Sequence, residues 1–326
     1  MRPDASRRPL TRKADPMKHV ALALAMATGL ATSALADTYG PLVEAAELSA
    51  TLDTAQPILL DIRNAGYEES HADGALFAPY RMFRGPEENP GGLVDLEKLE
   101  AELEELGLEQ DSPIVILSEG KSDTDFGAAA RVYWTLKSTG FTDLSILNGG
   151  LTSWRAAGLP VNKTVESAMP SELDLTFDDT WLATTADVAA VANGEKDALL
   201  VDARPADFFN GKKAHEAAAR PGTLPTATNH SYTSFFDKGS PAMSTAIDPA
   251  ALKASLGVQD GKDTVSFCNT GHWAATHWFA VSELAGVENA KLYPGSMVEY
   301  SNAGYEMANT PTLFENLILQ IKQIIN

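Results

Sequence analysis

The chain is poor in cysteine. Its 326 residues include one, Cys268, so no internal disulfide can form and no zinc site built from several thiolates can exist. Positive charge is also scarce: 25 Lys and Arg stand against 44 Asp and Glu, a net charge of −19, whereas a generic nucleic-acid binder presents a basic face. The six histidines (19, 71, 215, 230, 272, 277) form no His-x-x-x-His set with a nearby Glu, and neither a metal nor another cofactor is expected. Only one long apolar run exists, Val20–Ala36. What remains is globular in composition, 44% hydrophobic and 21% charged, and long enough for two ordinary domains.

Met17-Lys18-His19 leads into that run, which ends Ser33-Ala34-Leu35-Ala36 before Asp37. A basic start, an apolar core and small residues before the cut describe a secretory signal peptide over residues 1–36, cleaved after about Ala36. The alternative, an uncleaved membrane anchor, is disfavoured because the run is short and rich in Ala. Residues 1–16 read as an upstream extension if Met17 is the initiator, and the sequence does not decide between Met1 and Met17. Arg7-Arg8 is a weak twin-arginine signal, because 11 residues separate it from the apolar core, so the export route stays open. Cleavage removes six basic and two acidic residues, leaving a soluble, membrane-free product of net charge −23. In a Gram-negative source that product is periplasmic. A lone cysteine is unusual in an oxidising compartment, which directs attention to Cys268.

The chain repeats itself. Pro57-Ile-Leu-Leu-Asp61-Ile-Arg63 returns as Ala198-Leu-Leu-Val-Asp202-Ala-Arg204, and Ser112-Pro-Ile-Val-Ile-Leu-Ser118 as Asp263-Thr-Val-Ser-Phe-Cys268. Leu147-Asn-Gly-Gly150, with Trp154 and Gly158, matches Tyr293-Pro-Gly295-Ser, with Tyr300 and Gly304. Short β-rich runs alternate with helical segments, so two tandem α/β domains are expected, 37–165 and 166–311, each a parallel sheet flanked by helices. The linker lies around Asn162–Asp179. A helix is expected over Leu93–Leu106, with Leu96, Leu99, Leu103 and Leu106 inward and its acids in solvent. A closing helix is expected over 312–326.

Cys268 follows the apolar run Thr264–Phe267 and precedes Asn269-Thr270-Gly271-His272-Trp273, with a helical stretch from Ala275 to Leu284 closed by Gly286. This puts the sulfur at the carboxyl edge of a sheet, where ligands bind in open α/β folds. Loop N–H groups and a helix N-terminus there favour an anion and can lower a thiol pKa from about 8.5 into the 3.5–7.5 range.

Cys268-x-x-Gly271-x-x-Ala274 after a strand, the Asp-x-Arg strand ends, Gly222-Thr-Leu-Pro225 and the Gly-Gly…Trp segment together resemble the rhodanese sulfurtransferases, in their tandem two-domain form, across residues 40–310. The resemblance implies that the second domain is catalytic. The Cys268 thiolate would take a sulfane sulfur from thiosulfate or a related donor such as 3-mercaptopyruvate. It would hold it as a persulfide and pass it to cyanide, a thiol or a protein acceptor. The six-residue loop Cys268–Trp273 has the length associated with sulfur transfer, one residue shorter than in related phosphatases and arsenate reductases. Asn269, Thr270, Gly271, His272 and Trp273 would line the donor site. The loop matches neither the basic thiosulfate pattern nor the Gly/Ser mercaptopyruvate pattern, and Asp207-Phe208 stands where an Arg often holds the donor. A local cation is therefore needed, from Arg204, Lys212, Lys213, Arg220 or a protonated His272, although Arg204 is also placed to pair with Asp202 or Glu299. In the first domain Ser118 stands in the place of Cys268, with Glu119, Asp123 and Asp125 opposing an anion, so that domain reads as non-catalytic. The competing reading is an exported persulfide carrier, loaded by a partner enzyme and slow with small donors. A papain-like hydrolase fails for want of a placed His and orienter, and a plain binding module leaves Cys268 unexplained.

Overall fold

The computed structural model describes residues 38–312, so the signal segment and, Thr312 apart, the expected closing helix lie outside the described residues. The first half runs β1 (Leu42–Val43), α1 (Ala45–Ala55), β2 (Ile58–Asp61), β3 (His71–Ala72), β4 (Leu76–Phe77), α2 (Leu96–Glu105), β5 (Ile114–Leu117), α3 (Asp123–Ser138), β6 (Leu144–Leu147), α4 (Gly150–Ala156) and β7 (Val161–Asn162). The second half runs α5 (Thr185–Ala192), β8 (Ala198–Asp202), α6 (Ala206–Phe209), β9 (Thr228–Asn229), α7 (Pro249–Leu256), β10 (Asp263–Phe267), α8 (His272–Phe279), β11 (Ala290–Leu292) and α9 (Ser296–Asn302). Two parallel sheets result, in the orders β1-β6-β5-β2-β4 and β11-β10-β8-β9, with β3 and β7 forming a small antiparallel ribbon. The α/β class and the tandem parallel sheets are as the repeat predicts.

Strand β5, Ile-Val-Ile-Leu, is buried at all four positions, as a parallel strand covered on both faces must be. Helix α2 starts at Leu96, three residues later than expected, because Asp95 caps it by accepting the N–H of Lys98 at 3.2 Å. Its acids are not all solvent-facing. Glu100 and Glu104 accept the N–H groups of Leu175 and Leu173, at 2.6 and 2.9 Å, and so lay the linker along the helix. Helix α8 begins at His272, earlier than the expected Ala275, because Gly271 at φ 71° turns the chain directly out of the strand. A π-turn over Ala280–Leu284 follows it, ending at Gly286 with φ 62°.

Each sheet packs its outer face on its own apolar cluster, with Val115 and Trp154 in one and Phe267 and Tyr300 in the other. The inner faces share a single core, because α3 and α8 pack against each other. Phe126 and Tyr133 of α3 meet Phe279 of α8 edge to face, at ring distances of 5.5 and 5.1 Å. Gly127 permits the close approach: a Cβ there would lie 2.8 Å from the His272 ring. Fully buried Phe279 thus belongs to both halves. Replacing it, as Phe279→Ala, should cost about 3–5 kcal/mol in chemical denaturation. A loss below about 1 kcal/mol would show that the halves do not depend on this contact.

Candidate active site

Cys268 closes β10 at the carboxyl edge of the second sheet, beside β8 and β11, and is 1% exposed. The loop that follows is held from the start of α9. Ser296 Oγ accepts the N–H groups of Cys268 and Gly271, at 3.0 and 3.2 Å, and donates to the Tyr293 carbonyl at 2.8 Å. The carbonyls of Cys268 and Asn269 accept from Met297 and Val298, each at 3.0 Å. Two of the loop N–H groups expected to face the sulfur are therefore committed to Ser296. Those of Asn269, Thr270, His272 and Trp273 have no acceptor among the described residues. Sequence reasoning missed Ser296, yet the repeat signals it: Ser296 stands where the first half has Gly150, and both adopt left-handed backbone, φ 52° and 57°. A serine in that conformation is uncommon and here contributes a hydroxyl that glycine lacks.

The sulfur lies on a cavity of about 490 Å³ between the halves. Cys268, Asn269, Thr270, His272 and Trp273 line it, whereas Gly271, Arg204 and Arg220 do not; Gly271 packs instead against Arg131 and Pro294. Arg204 is 1% exposed and holds Asp202 through a 2.6 Å ion pair, with further bonds to the Gly222 carbonyl and, at 3.2 Å, to Asn269 Oδ1. It braces the loop and cannot leave its carboxylate for a donor. Arg220 is turned away, its guanidinium engaged by the Tyr305 carbonyl and Met307 Sδ. Lys212 and Lys213 lie outside the cavity lining, each 3.7 Å from Asp207. His272 is not a cation either. Its Nδ1 accepts from Tyr80 Oη at 3.0 Å and its Nε2 donates to the Thr124 carbonyl at 2.8 Å, and burial, helped by Arg84, holds its pKa down to about 4. Trp273 lies flat on Tyr232, rings 5.0 Å apart, and donates to Thr124 Oγ1 at 2.7 Å, so it both walls the cavity and joins the halves.

The cavity's positive charge comes from the other half of the chain. Arg81 and Arg84, on the turn after β4, line it, and neither has a carboxylate partner among the described residues. Arg84 lies over the Tyr80 ring and donates to Tyr80 Oη at 2.7 Å, so one chain of hydrogen bonds runs Arg84–Tyr80–His272–Thr124. His215 also reaches the cavity. Nothing near Cys268 in sequence announces these residues; only the packing of α3 on α8 brings them there.

The sequence matches the rhodanese-like domain twice, over residues 44–157 and 185–303. The thiosulfate sulfurtransferase of Azotobacter vinelandii is 30% identical over 262 residues, covering 80% of this chain and 93% of that protein. The chain belongs to the rhodanese family. It is a sulfurtransferase of that type. Among solved structures, the 3-mercaptopyruvate sulfotransferase SseA from Escherichia coli superimposes with a TM-score of 0.67 at 25% identity, over 79% of this chain and 99% of that one. An anaerobic ergothioneine biosynthesis enzyme from Chlorobium limicola shares the fold, with a TM-score of 0.71 at 19% identity over 83% and 71% of the two chains.

The first rhodanese domain has its own cavity, about 310 Å³, at Ser118. His272 borders it too, which the sequence did not indicate, but both its ring nitrogens are taken, so it cannot serve Ser118 as a base. Glu119 pairs with Arg63 and Lys121, both at 3.2 Å, and Asp125 accepts the Lys121 N–H at 2.7 Å, leaving an acid-lined pocket.

Burial holds His230 and His277, like His272, below the ordinary imidazole pKa. Each binds its proton more readily in the unfolded chain, so their contribution to stability is complete above about pH 6.5 and is lost as pH falls toward 4. Urea unfolding at pH 7 and pH 5 should show a lower stability at pH 5, with a smaller drop in His272→Gln. Equal drops would remove His272 from the account.

Proposed function

We propose that the second domain, residues 166–311, carries the catalytic centre and transfers a sulfane sulfur from thiosulfate through a persulfide on Cys268. The observation that supports this most directly is Arg84, which lacks a carboxylate partner among the described residues in a strongly acidic chain and borders the same cavity as Cys268. A small dianion fits a 490 Å³ cavity with two arginines on one wall and loop N–H groups without acceptors on the other. Long-range repulsion from the acidic surface is screened beyond about 8–10 Å, so these local cations govern capture.

In the proposed cycle the Cys268 thiolate attacks the outer sulfur of thiosulfate. The bond between the two thiosulfate sulfurs breaks, and sulfite leaves with the electron pair. The terminal sulfur of Cys268–S–S⁻ then accepts attack by cyanide or a thiolate. The cysteinyl sulfur takes back its electron pair as thiolate, and thiocyanate or a new persulfide departs. The free loop N–H groups bear on the anion in each half-reaction. Residues 17–36 of the sequence support export to the periplasm, where the acceptor would be a thiol or a protein.

Intact mass after thiosulfate treatment and desalting without reductant should rise by one sulfur, return on adding cyanide, and stay unchanged in Cys268→Ser. No gain with thiosulfate or 3-mercaptopyruvate, or a gain that survives in Cys268→Ser, would sink the mechanism. The two arginine roles separate by variant. Arg84→Met should raise KM for thiosulfate about tenfold or more at unchanged Tm, as loss of a charge-assisted contact predicts. Arg204→Met should instead cost about 3–5 kcal/mol of stability by stranding buried Asp202. The reverse pattern would reassign the donor site.

A further inference from the structure

Arg131, in the middle of α3, is 1% exposed. A guanidinium this deep ordinarily sits on a carboxylate, as Arg63 and Arg204 do. Arg131 has no carboxylate partner among the described residues. Its Nη1 and Nη2 donate to the Gly91 carbonyl at 3.3 and 3.2 Å, and Nη2 donates to the Gly92 carbonyl at 2.8 Å. Its Nε has no hydrogen-bond partner among the described residues, and its guanidinium carbon lies 5.1 Å from the centre of the Trp134 ring. These contacts are neutral and leave the positive charge uncompensated.

The guanidinium lies against the Cys268 loop. A Cβ on Gly271 would come within 2.5 Å of Arg131 Nη1, so the glycine is the residue that lets the charge reach the loop. The other charged or titratable groups around the cysteine do not balance it. The Glu299 carboxylate of α9 accepts from Asn89 Nδ2 at 2.8 Å and from Thr185 Oγ1 and makes no ion pair with Arg131, and His215 lies on the cavity lining. Arg84 and Arg81 add positive charge from the cavity wall. Tyr80 and Tyr232 are held above the ordinary phenol range by burial, and His272 is neutral. Arg204 is already neutralised by Asp202. Burial first, and then the like charge of Arg84, hold the Arg131 pKa down to about 9, so it is still a cation at neutral pH. A fully buried cation with the half-buried Arg84 close enough to disfavour it leaves positive charge that an anion nearby would offset, and the group on the page that becomes one is the cysteine sulfur.

We propose that Arg131, contributed by the first domain, is the buried countercharge for the anionic forms of Cys268, the thiolate and the persulfide. It acts through the space behind the loop and does not touch the donor, so it is a positioning residue. The persulfide part rests on the proposed function; the thiolate part does not.

The test is the rate at which iodoacetamide alkylates Cys268, read by intact mass in the folded full chain, where the single cysteine makes the assignment unambiguous. At pH 6.5 Arg131→Met should react about tenfold more slowly than wild type, and Arg131→Lys, which keeps the charge, should recover most of the rate. At pH 9.5, above the ordinary thiol value, the three should converge. A wild-type rate in Arg131→Met at pH 6.5 would overturn the proposal. So would equal slowing of both variants at both pH values, which a purely structural role predicts. If Arg131→Met does not fold, wild type is compared with Cys268→Ser: its advantage in Tm should be larger at pH 8 than at pH 5, and an advantage independent of pH overturns the proposal. Neither readout uses a sulfur donor, so a chain that takes no sulfur from thiosulfate would fail the proposed function while leaving this inference standing.

Discussion

The close approach of α3 to α8 at Gly127 is the contact on which the remaining geometry depends. Because no side chain stands between the two helices there, the ring of His272 reaches Thr124 and Tyr80, and Trp273 reaches Thr124 and Tyr232. The same contact carries Arg84 and Arg131 from one half of the chain to a cysteine in the other. Aromatic packing of Phe126, Tyr133 and Phe279 makes the arrangement rigid, since interiors of this density do not slide continuously.

The two rhodanese domains use one backbone plan for different chemical surroundings. Both close their first long strand, β2 in one and β8 in the other, with an Asp-x-Arg pair that braces the neighbouring loop, through Glu119 in one and Asn269 in the other. Both place a left-handed residue after the last strand of the sheet unit, Gly150 in one and Ser296 in the other. The difference of one hydroxyl matters, because Ser296 ties down two N–H groups of the Cys268 loop. The cavity at Ser118 is lined by Glu119 and Asp125, and Arg63 on its wall is tied to Asp61 and Glu119. The cavity at Cys268 is lined by Arg81 and Arg84, which have no carboxylate partner among the described residues, and by no carboxylate. The difference between the two surroundings is thus carried by side chains laid on a duplicated frame.

Much was legible in the sequence because it is local. The repeat, the parallel sheets and the position of Cys268 at a strand end follow from apolar periodicity, turn residues and spacing within a few residues of each other. The Asp202 partner of Arg204 was legible for the same reason, two residues away. Asn269, Thr270, His272 and Trp273 border the cavity because chain continuity from Cys268 keeps them beside it.

Which cations face the cysteine was not legible. Arg220 looked well placed beside Pro221-Gly222, yet the strand bridge that pairs Thr223 with Ala308 carries it to Tyr305 and Met307 instead. Arg81, Arg84 and Arg131 precede Cys268 by well over a hundred residues, and no local pattern distinguishes them from surface arginines. By itself the sequence determined the frame, the tandem order and the lone thiol, since these depend on short-range periodicity and composition. The tertiary structure alone decided the electrostatics of that thiol. Coulomb interactions depend on distance in space and on what water is excluded, and both are set only when α3 and α8 close on each other.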